Sequence, residues 1–335
     1  MGMTVEKVLV SICLFLIVAG SLVSCSKAGA HQEGQAGGEP PLAQVSLQPG
    51  EEYSAALFLG GFQLAKTSEV VVVPTALTVE GTGDDGSKVF LPGRTITVAP
   101  FAIGRYEVTQ ELYEAVMGKN PSGHQGDSRP PADGEVQHPR PVEEITWYDS
   151  VVFCNQLTAA TMGEAACVYY SDKALRKVYS AEDGKLARLP YMDMVKKGYR
   201  LPLEAEWELA ARGGNPADTE NWCLEYAGSN SIQEVTWYNG TSPRRSHEVG
   251  MKTPNALGLY DMSGNVWEWC WDWFGTVKSD TPVTGLAEPS SSGEYRVYRG
   301  GSFGRSAPYC TVSTRSGIVP EYDGRILGLR VARSL

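Results

Sequence analysis

The 335-residue chain has only 4 histidines, and none of its 7 cysteines forms a Cys-x-x-Cys pair. His31, His124, His138 and His247 are scattered, so the clustered donors of a zinc site are missing. A basic stripe is missing too. Lys and Arg number 29 against 39 Asp and Glu, a formal net charge of −10, which argues against nucleic acid. There is no glycine-rich phosphate loop and no sustained β-α-β alternation, which disfavours a nucleotide-binding parallel sheet. The apolar run Val8–Val18 is too short for a membrane helix. What is present is 42% hydrophobic and 10% aromatic residues, enough for a packed core in one large domain or two ordinary ones.

Residues 1–25 read as an export signal: Lys7 precedes the apolar run, which ends in Leu22-Val-Ser-Cys25. That ending resembles a bacterial lipobox, which implies removal of the signal and a lipid on Cys25. The alternative is a secretory signal cut elsewhere. A lipid there would anchor the protein to the bacterial outer membrane or cell surface without a spanning helix. Residues 26–50 are rich in Gly, Ala, Gln and Pro and read as a flexible tether; residues 51–335 form the domain. With Cys13 removed and Cys25 acylated, Cys154, Cys167, Cys223, Cys270 and Cys310 remain. Their number is odd, so at least one thiol has no partner within the chain.

The apolar runs Ala55–Leu59 and Val70–Val73 suggest a strand or two, and Thr95–Ile103 is β-like. Thr109 caps a helix over Gln110–Met117, stopped by Gly118 and Pro121. Residues 124–140 are polar and proline-rich, hence a loop. Thr146 or Asp149 opens a second helix through Leu157. Pro202–Arg212 is a short helix stopped by Gly213-Gly214, with Glu204 and Glu206 near its positive end. Glu204, Glu206 and Glu208 are better explained by that dipole and by capping than as a catalytic carboxylate pair.

The chain is organised around the stretch Gly258–Phe274. Trp267, Trp269, Trp271 and Trp273 fall at every second position, which puts four indoles on one face of a strand and makes it a core wall. Just before it, Asp261-Met-Ser-Gly-Asn-Val-Trp-Glu268 is a turn rich in hard oxygen donors. It suits calcium, or it is a turn whose Asp and Asn satisfy their own backbone. Gly258-Leu-Tyr-Asp-Met-Ser-Gly-Asn-Val-Trp-Glu-Trp269 resembles the central motif of the formylglycine-generating-enzyme (sulfatase-modifying factor) family. Tyr106-Glu-Val-Thr-Gln110, Arg140-Pro-Val-Glu-Glu-Ile-Thr-Trp-Tyr-Asp149, the run Gly198–Gly214 and Arg299-Gly-Gly-Ser302 are similar to other parts of it. The resemblance runs from about Val70 to the C-terminus. It implies an α+β domain with the C-type-lectin-like fold of this family, and a hairpin within residues 165–193. It also implies calcium held by the side chains of Asp261 and Glu268 and the carbonyls of Gly264 and Val266.

The family's oxidase activity needs two cysteines five apart that hold copper(I), a soft ion well served by two thiolates. By resemblance the second is Cys310, but the first falls on Arg305, which cannot ligate copper, and Ser302 is left without its partners. Copper is therefore not expected, nor is an oxidase. The helical iron-binding domain of ergothioneine-type synthases has no counterpart. The segment Phe303–Ile326 lies between Arg299-Gly-Gly-Ser302 and Gly328-Leu-Arg330, which are strongly family-like. This layout resembles the variable proteins of diversity-generating retroelements, whose C-terminal repeat is rewritten by adenine-directed mutagenesis. Mutating an AAC codon cannot yield Lys, Gln, Glu, Trp or Met, and 303–335 contains none of these except Glu321. The expectation is a monomeric surface lipoprotein gripping a protein or glycan. The expected face is Gly304, Arg305, Ser306, Tyr309, Thr314, Ser316, Ile318, Val319, Tyr322, Gly324 and Ile326, with Tyr and Arg as anchors. The alternatives are a fixed-sequence lectin-like binder, with Ile318, Val319 and Ile326 simply core, and a formylglycine-generating oxidase.

Overall fold

The computed structural model describes residues 52–54, 58–59, 62–63, 69–73, 76–81, 86–242, 244–286, 289 and 294–335. Cys25 and the expected tether over 26–50 lie outside these residues. The described residues belong to one compact unit, Ser46–Leu335. Among them, no helix is long and apolar enough to cross a membrane.

Two sheets make the frame. The first is antiparallel throughout, in the order Glu52–Ser54, Glu69–Val73, Phe101–Gly104, Ala332–Ser334, Tyr199–Arg200. Phe101 lies opposite Ser334, so the strand Ala332–Ser334 is stitched into the middle of the first sheet. The second sheet runs Arg315–Ile318, Arg296–Arg299, Trp267–Trp273, Leu327–Leu329, and its last pairing is parallel. Residues 165–193 carry the expected hairpin, with Tyr169–Tyr170 paired to Tyr191–Met192.

The helices start where the sequence says they should. Thr109 accepts from Leu112 N–H at the head of Gln110–Met117, and Gly118 closes that helix in the left-handed region at φ 73°. Thr146 and Asp149 form a reciprocal capping box at the head of the next. This second helix runs Trp147–Met162, five residues beyond the expected Leu157, because no breaker intervenes before Gly163.

The tryptophan strand separates two cores. Trp267 and Trp269 join Trp147, Phe153, Tyr169 and Leu329 around the long helix. Cys270 instead joins Trp207, Leu209, Phe101 and Val297 around the helix Glu204–Ala211. The wall is thus two-sided: Glu268, Cys270 and Asp272 are as buried as the indoles. Trp147 Nε1 donates to Cys270 O at 2.9 Å and Trp269 Nε1 to Ile145 O at 3.2 Å, so neither ring strands its polar atom. A fully buried indole contributes roughly 4–6 kcal/mol of transfer free energy, which makes this strand the chief apolar element of the fold.

Glu206 caps the short helix as expected, and burial with ion pairing of all three glutamates adds to that reading. Glu204, Glu206 and Glu208 do not sit at a solvent-facing helix end; all three are buried. Glu206 takes both guanidinium nitrogens of Arg200 at 2.7 Å and also caps Leu203 N–H. Glu208 holds Arg212 and Arg299. Glu204 takes Arg315 at 2.6 and 2.7 Å. Buried carboxylates persist only when paired, and here each has its cation. Cys154, Cys167, Cys270 and Cys310 are buried free thiols, and Cys223 is an exposed one.

Candidate ligand-binding face

The candidate face begins at Arg299, the end of a strand in the second sheet, where Gly300 and Gly301 take φ of 95° and 81°. Gly301 is required by packing as well as by φ, since a Cβ there would lie 2.5 Å from Cys310 Sγ. Ser302 is buried, and its Oγ has no partner among the described residues. Phe303 N–H donates to Asn265 O, and Asn239 N–H to Arg305 O, so the chain is pinned as it leaves the core. A single 3-10 turn, Ala307–Tyr309, leads to Cys310, and Val312 N–H donates to Glu225 O. The strand Arg315–Ile318 then pairs with Arg296–Arg299. Trp147 N–H donates to Pro320 O and Trp267 N–H to Ile326 O, which ties the return leg to the core.

The side chains behave differently from this backbone. Cys310, Val312, Pro320 and Leu327 are buried, while none of the eleven candidate residues is. Tyr309 is 51% exposed, Val319 42% and Tyr322 42%. Val319 is therefore not core, whereas Ile318 and Ile326 pack half-buried against the long-helix cluster. Gly304 meets Ile326, whose Cγ2 lies 3.4 Å from a Cβ built on the glycine. Tyr322, Gly324 and Ile326 line a shallow cleft of about 510 Å³. The Arg305 guanidinium sits 5.8 Å from the centre of the Tyr309 ring. Ser316 and Ile318 share a strand face, opposite Tyr298 and Arg296. Ser306 is exposed and caps the 3-10 turn, its carbonyl accepting from Tyr309 N–H. Thr314 is a turn brace, its hydroxyl bonded to Thr311 and to Pro308 O.

The carried-over copper site lacks its chemistry. Arg305 is exposed, and the Cys310 thiol is buried, which pushes its pKa up to about 12. A single thiol with a guanidinium where the second would stand is a poor copper(I) donor set.

One carboxylate of the expected calcium set is taken by a protein cation. Glu268 is fully buried and takes the Arg330 guanidinium at 2.7, 3.0 and 3.1 Å, with Trp207 Nε1 on the same carboxylate at 2.7 Å. Asp261 Oδ2 accepts Gly250 N–H at 2.7 Å. Asp261, Gly264 and Asn265 all take positive φ, so the turn is tight, and Gly264 N–H donates to Gly300 O. A protein cation already stands at Glu268. With Arg330 in the Glu268 carboxylate, an anionic donor of the set is already neutralised, which disfavours calcium here. Nearby Glu107 has its pKa held well above the ordinary value by burial and by the Asp261 and Glu268 carboxylates. Among the described residues, no cluster of three or more His, Cys, Asp or Glu is placed to hold a metal.

The sequence reading missed the other wall of the face. A cleft of about 650 Å³ opens between the 124–140 loop and Phe303, Gly304 and Ile326. Its rim carries Arg129, Arg244, Arg245 and Arg325. The adjacent Arg244-Arg245 in so acidic a chain was the one available signal. Behind it, His247 Nε2 lies 2.9 Å from Ser242 Oγ and Nδ1 2.7 Å from Glu135 Oε1. These are the distances of an acyl-transfer triad, but Ser242 is buried and donates its proton to Arg245 O at 2.5 Å. The trio braces the loop.

Residues 59–335 match the family described as the sulfatase-modifying factor enzyme 1-like domain. "Chaperone protein LppX" of Paenibacillus barcinonensis is 33% identical over 82% of this chain and 95% of its own length. A formylglycine-generating enzyme of Thermomonospora curvata is 28% identical over 72% of this chain and 84% of its own. The solved structure of Treponema denticola variable protein 1 superposes with a TM-score of 0.68 at 34% identity, over 85% of this chain and 99% of that one.

Proposed function

The chain belongs to the sulfatase-modifying factor enzyme 1-like domain family, and on that premise we propose that it is a lipid-anchored surface binder and not an oxidase. It grips a ligand through residues 303–326, a segment diversified by a retroelement. The observation that carries this reading is the division of labour in that segment. Its main chain is pinned by hydrogen bonds to the core, while none of its eleven candidate side chains is buried. The exposed ones, such as Tyr309, Val319 and Tyr322, can be exchanged at a stability cost usually within about 0.5 kcal/mol, which is what a rewritten binding face requires. The likeness to a protein named a variable protein supports it, as does the Paenibacillus relative, named a chaperone. Arg305 in place of a second thiol weighs against copper(I) chemistry.

Titration with copper(I) and incubation with a Cys-x-Pro-x-Arg peptide test this. No stoichiometric copper and no aldehyde are expected; finding both would restore the oxidase. Sequencing the locus in sister isolates tests diversification, and substitutions spread evenly over the domain would remove it. Labelling with radioactive palmitate, lost on Cys25→Ala, tests the anchor.

A further inference from the structure

We propose that the cleft between the 124–140 loop and the start of the 303–326 segment is an oxyanion site. It takes the sulfate, phosphate or carboxylate groups of a compact ligand. This deepens the binding reading above and rests on it.

Charge points to this cleft first. The chain carries a formal net charge of −10, yet this cleft is lined by Arg129, Arg244, Arg245 and Arg325 and by no carboxylate. Only Arg325 is neutralised nearby, its Nε donating to Glu144 Oε1 at 2.8 Å. Arg245 Nη1 donates to the Pro131 carbonyl at 3.3 Å, which leaves its charge unbalanced. Arg129 and Arg244 have no carboxylate within ion-pair distance among the described residues. Three buried arginines of this fold, Arg200, Arg299 and Arg330, each have a carboxylate. Like charges gathered without a counter-charge repel, and an anion in their midst relieves that repulsion.

Preorganisation points the same way. Arg244 holds φ at 59°, a costly conformation for a residue with a Cβ. It is kept there by the Ser242–Arg245 hydrogen bond and by His247, which stacks on Trp237 with centroids 3.8 Å apart. Arg129 is fixed through its carbonyl, which accepts Arg140 Nη1 at 3.0 Å. Guanidinium groups presented from braced backbone lose less entropy on forming paired bonds to an oxyanion.

The cleft's shape agrees. A volume of about 650 Å³ falls in the range of small-ligand pockets, whereas a protein partner covers a broad surface of order 800 Å² on each side. Phe303, Ile326 and Pro130 supply apolar contacts within the same cleft, suited to the carbon skeleton of a sugar or similar body. Arg325 and Ile326 also line the neighbouring cleft that holds Tyr322, so anchor and variable side chains are continuous.

Calorimetry on the folded domain tests the site with sodium sulfate, sodium phosphate, a sulfated disaccharide, its unsulfated form and a glutamate-rich peptide. The sulfated sugar should bind, its affinity falling at least tenfold in Arg129→Gln/Arg244→Gln at unchanged thermal midpoint, and falling steeply with added chloride. The unsulfated form should not bind. A preference for inorganic phosphate over sulfated sugar keeps the site and identifies a phosphate-bearing ligand. Binding that survives the double substitution, or tighter binding of the peptide that the sugar cannot displace, overturns the proposal. So does failure of every anion. The wider reading is judged separately by exchanging Tyr309, Ser316, Val319 and Tyr322 for the residues of a sister isolate, which leaves the cleft's lining in place, and asking whether recognition of whole cells changes.

Discussion

Replacing Arg330 by methionine is the sharpest test of how the turn Asp261–Glu268 is held. The guanidinium makes three contacts of 2.7–3.1 Å to Glu268 and donates to Gly104 O and Tyr260 O at 2.8 Å, with both side chains 0% exposed. Removing one partner of a buried pair leaves the other as an uncompensated charge, at a cost of about 3–5 kcal/mol. Two carbonyls lose donors at the same time, so the upper half of that range is expected. At about 2–4 °C per kcal/mol for a large domain, the thermal midpoint should fall by roughly 10 °C. Urea denaturation followed by tryptophan fluorescence reads it directly, because Trp207 donates to the same carboxylate. Glu268→Gln should also destabilise, and the double substitution should cost less than the two singles together by about 0.5–3 kcal/mol. Millimolar calcium should leave the wild-type midpoint unmoved. A loss under about 1 kcal/mol in Arg330→Met would refute this reasoning. So would a calcium-induced gain in the wild type that Glu268→Gln abolishes.

Three further outcomes are expected. Asp272 is buried beside Glu204, and burial and that carboxylate push its pKa up to about 7. A raised folded pKa favours the protonated form, so its contribution is complete below about pH 4 and is lost as pH rises through about 7. Asp272→Asn should therefore gain on the order of 2 kcal/mol at pH 8 and little at pH 5, read from denaturant midpoints; an equal change at both would be inconsistent. Tyr322→Ala and Val319→Ala should stay within about 0.5 kcal/mol of wild type while altering ligand recognition, and Ile318→Ala should cost about 1–2 kcal/mol. Gly301→Ala should cost more than about 2 kcal/mol, because its φ is 81° and its Cβ would enter Cys310 Sγ; a neutral result would mean that the segment's root is loose.

The legible parts of this fold were local. Thr109 and the Thr146/Asp149 pair announce their helices because a cap acts within three residues. The tryptophan strand announces itself through a period of two. The illegible parts were charges paired across the chain. Glu204 reads as a first-turn acid until Arg315, 111 residues on, is found against it. Glu268 reads as a calcium donor until Arg330, 62 residues on, is found in its carboxylate. The arginine cleft failed to appear for the same reason, since Arg129, Arg244 and Arg325 come from three separate loops. Periodicity and capping report on neighbours in sequence; counter-ions do not.

Those same long-range pairs would let a diversified face vary on a fixed fold. Arg299 is clasped by Glu208 and donates to Val312 O at 3.0 Å and Ser313 O at 3.3 Å. Arg315 reaches back to Glu204 and to the Gly275 carbonyl. The helix Glu204–Ala211 therefore holds the 303–326 segment by its backbone and by one inward arginine, without touching the outward side chains. Arg315 lies inside the segment yet belongs to the frame, so it is the position there at which substitution should unfold the protein and leave nothing to select. Diversification that spared Arg315, Cys310 and Val312 while changing Tyr309, Ser316 and Tyr322 would follow the line that burial draws through the segment. Substitution at Arg315 as frequent as at Tyr322 among sister isolates would mean that the ion-pair lattice is not what holds the face.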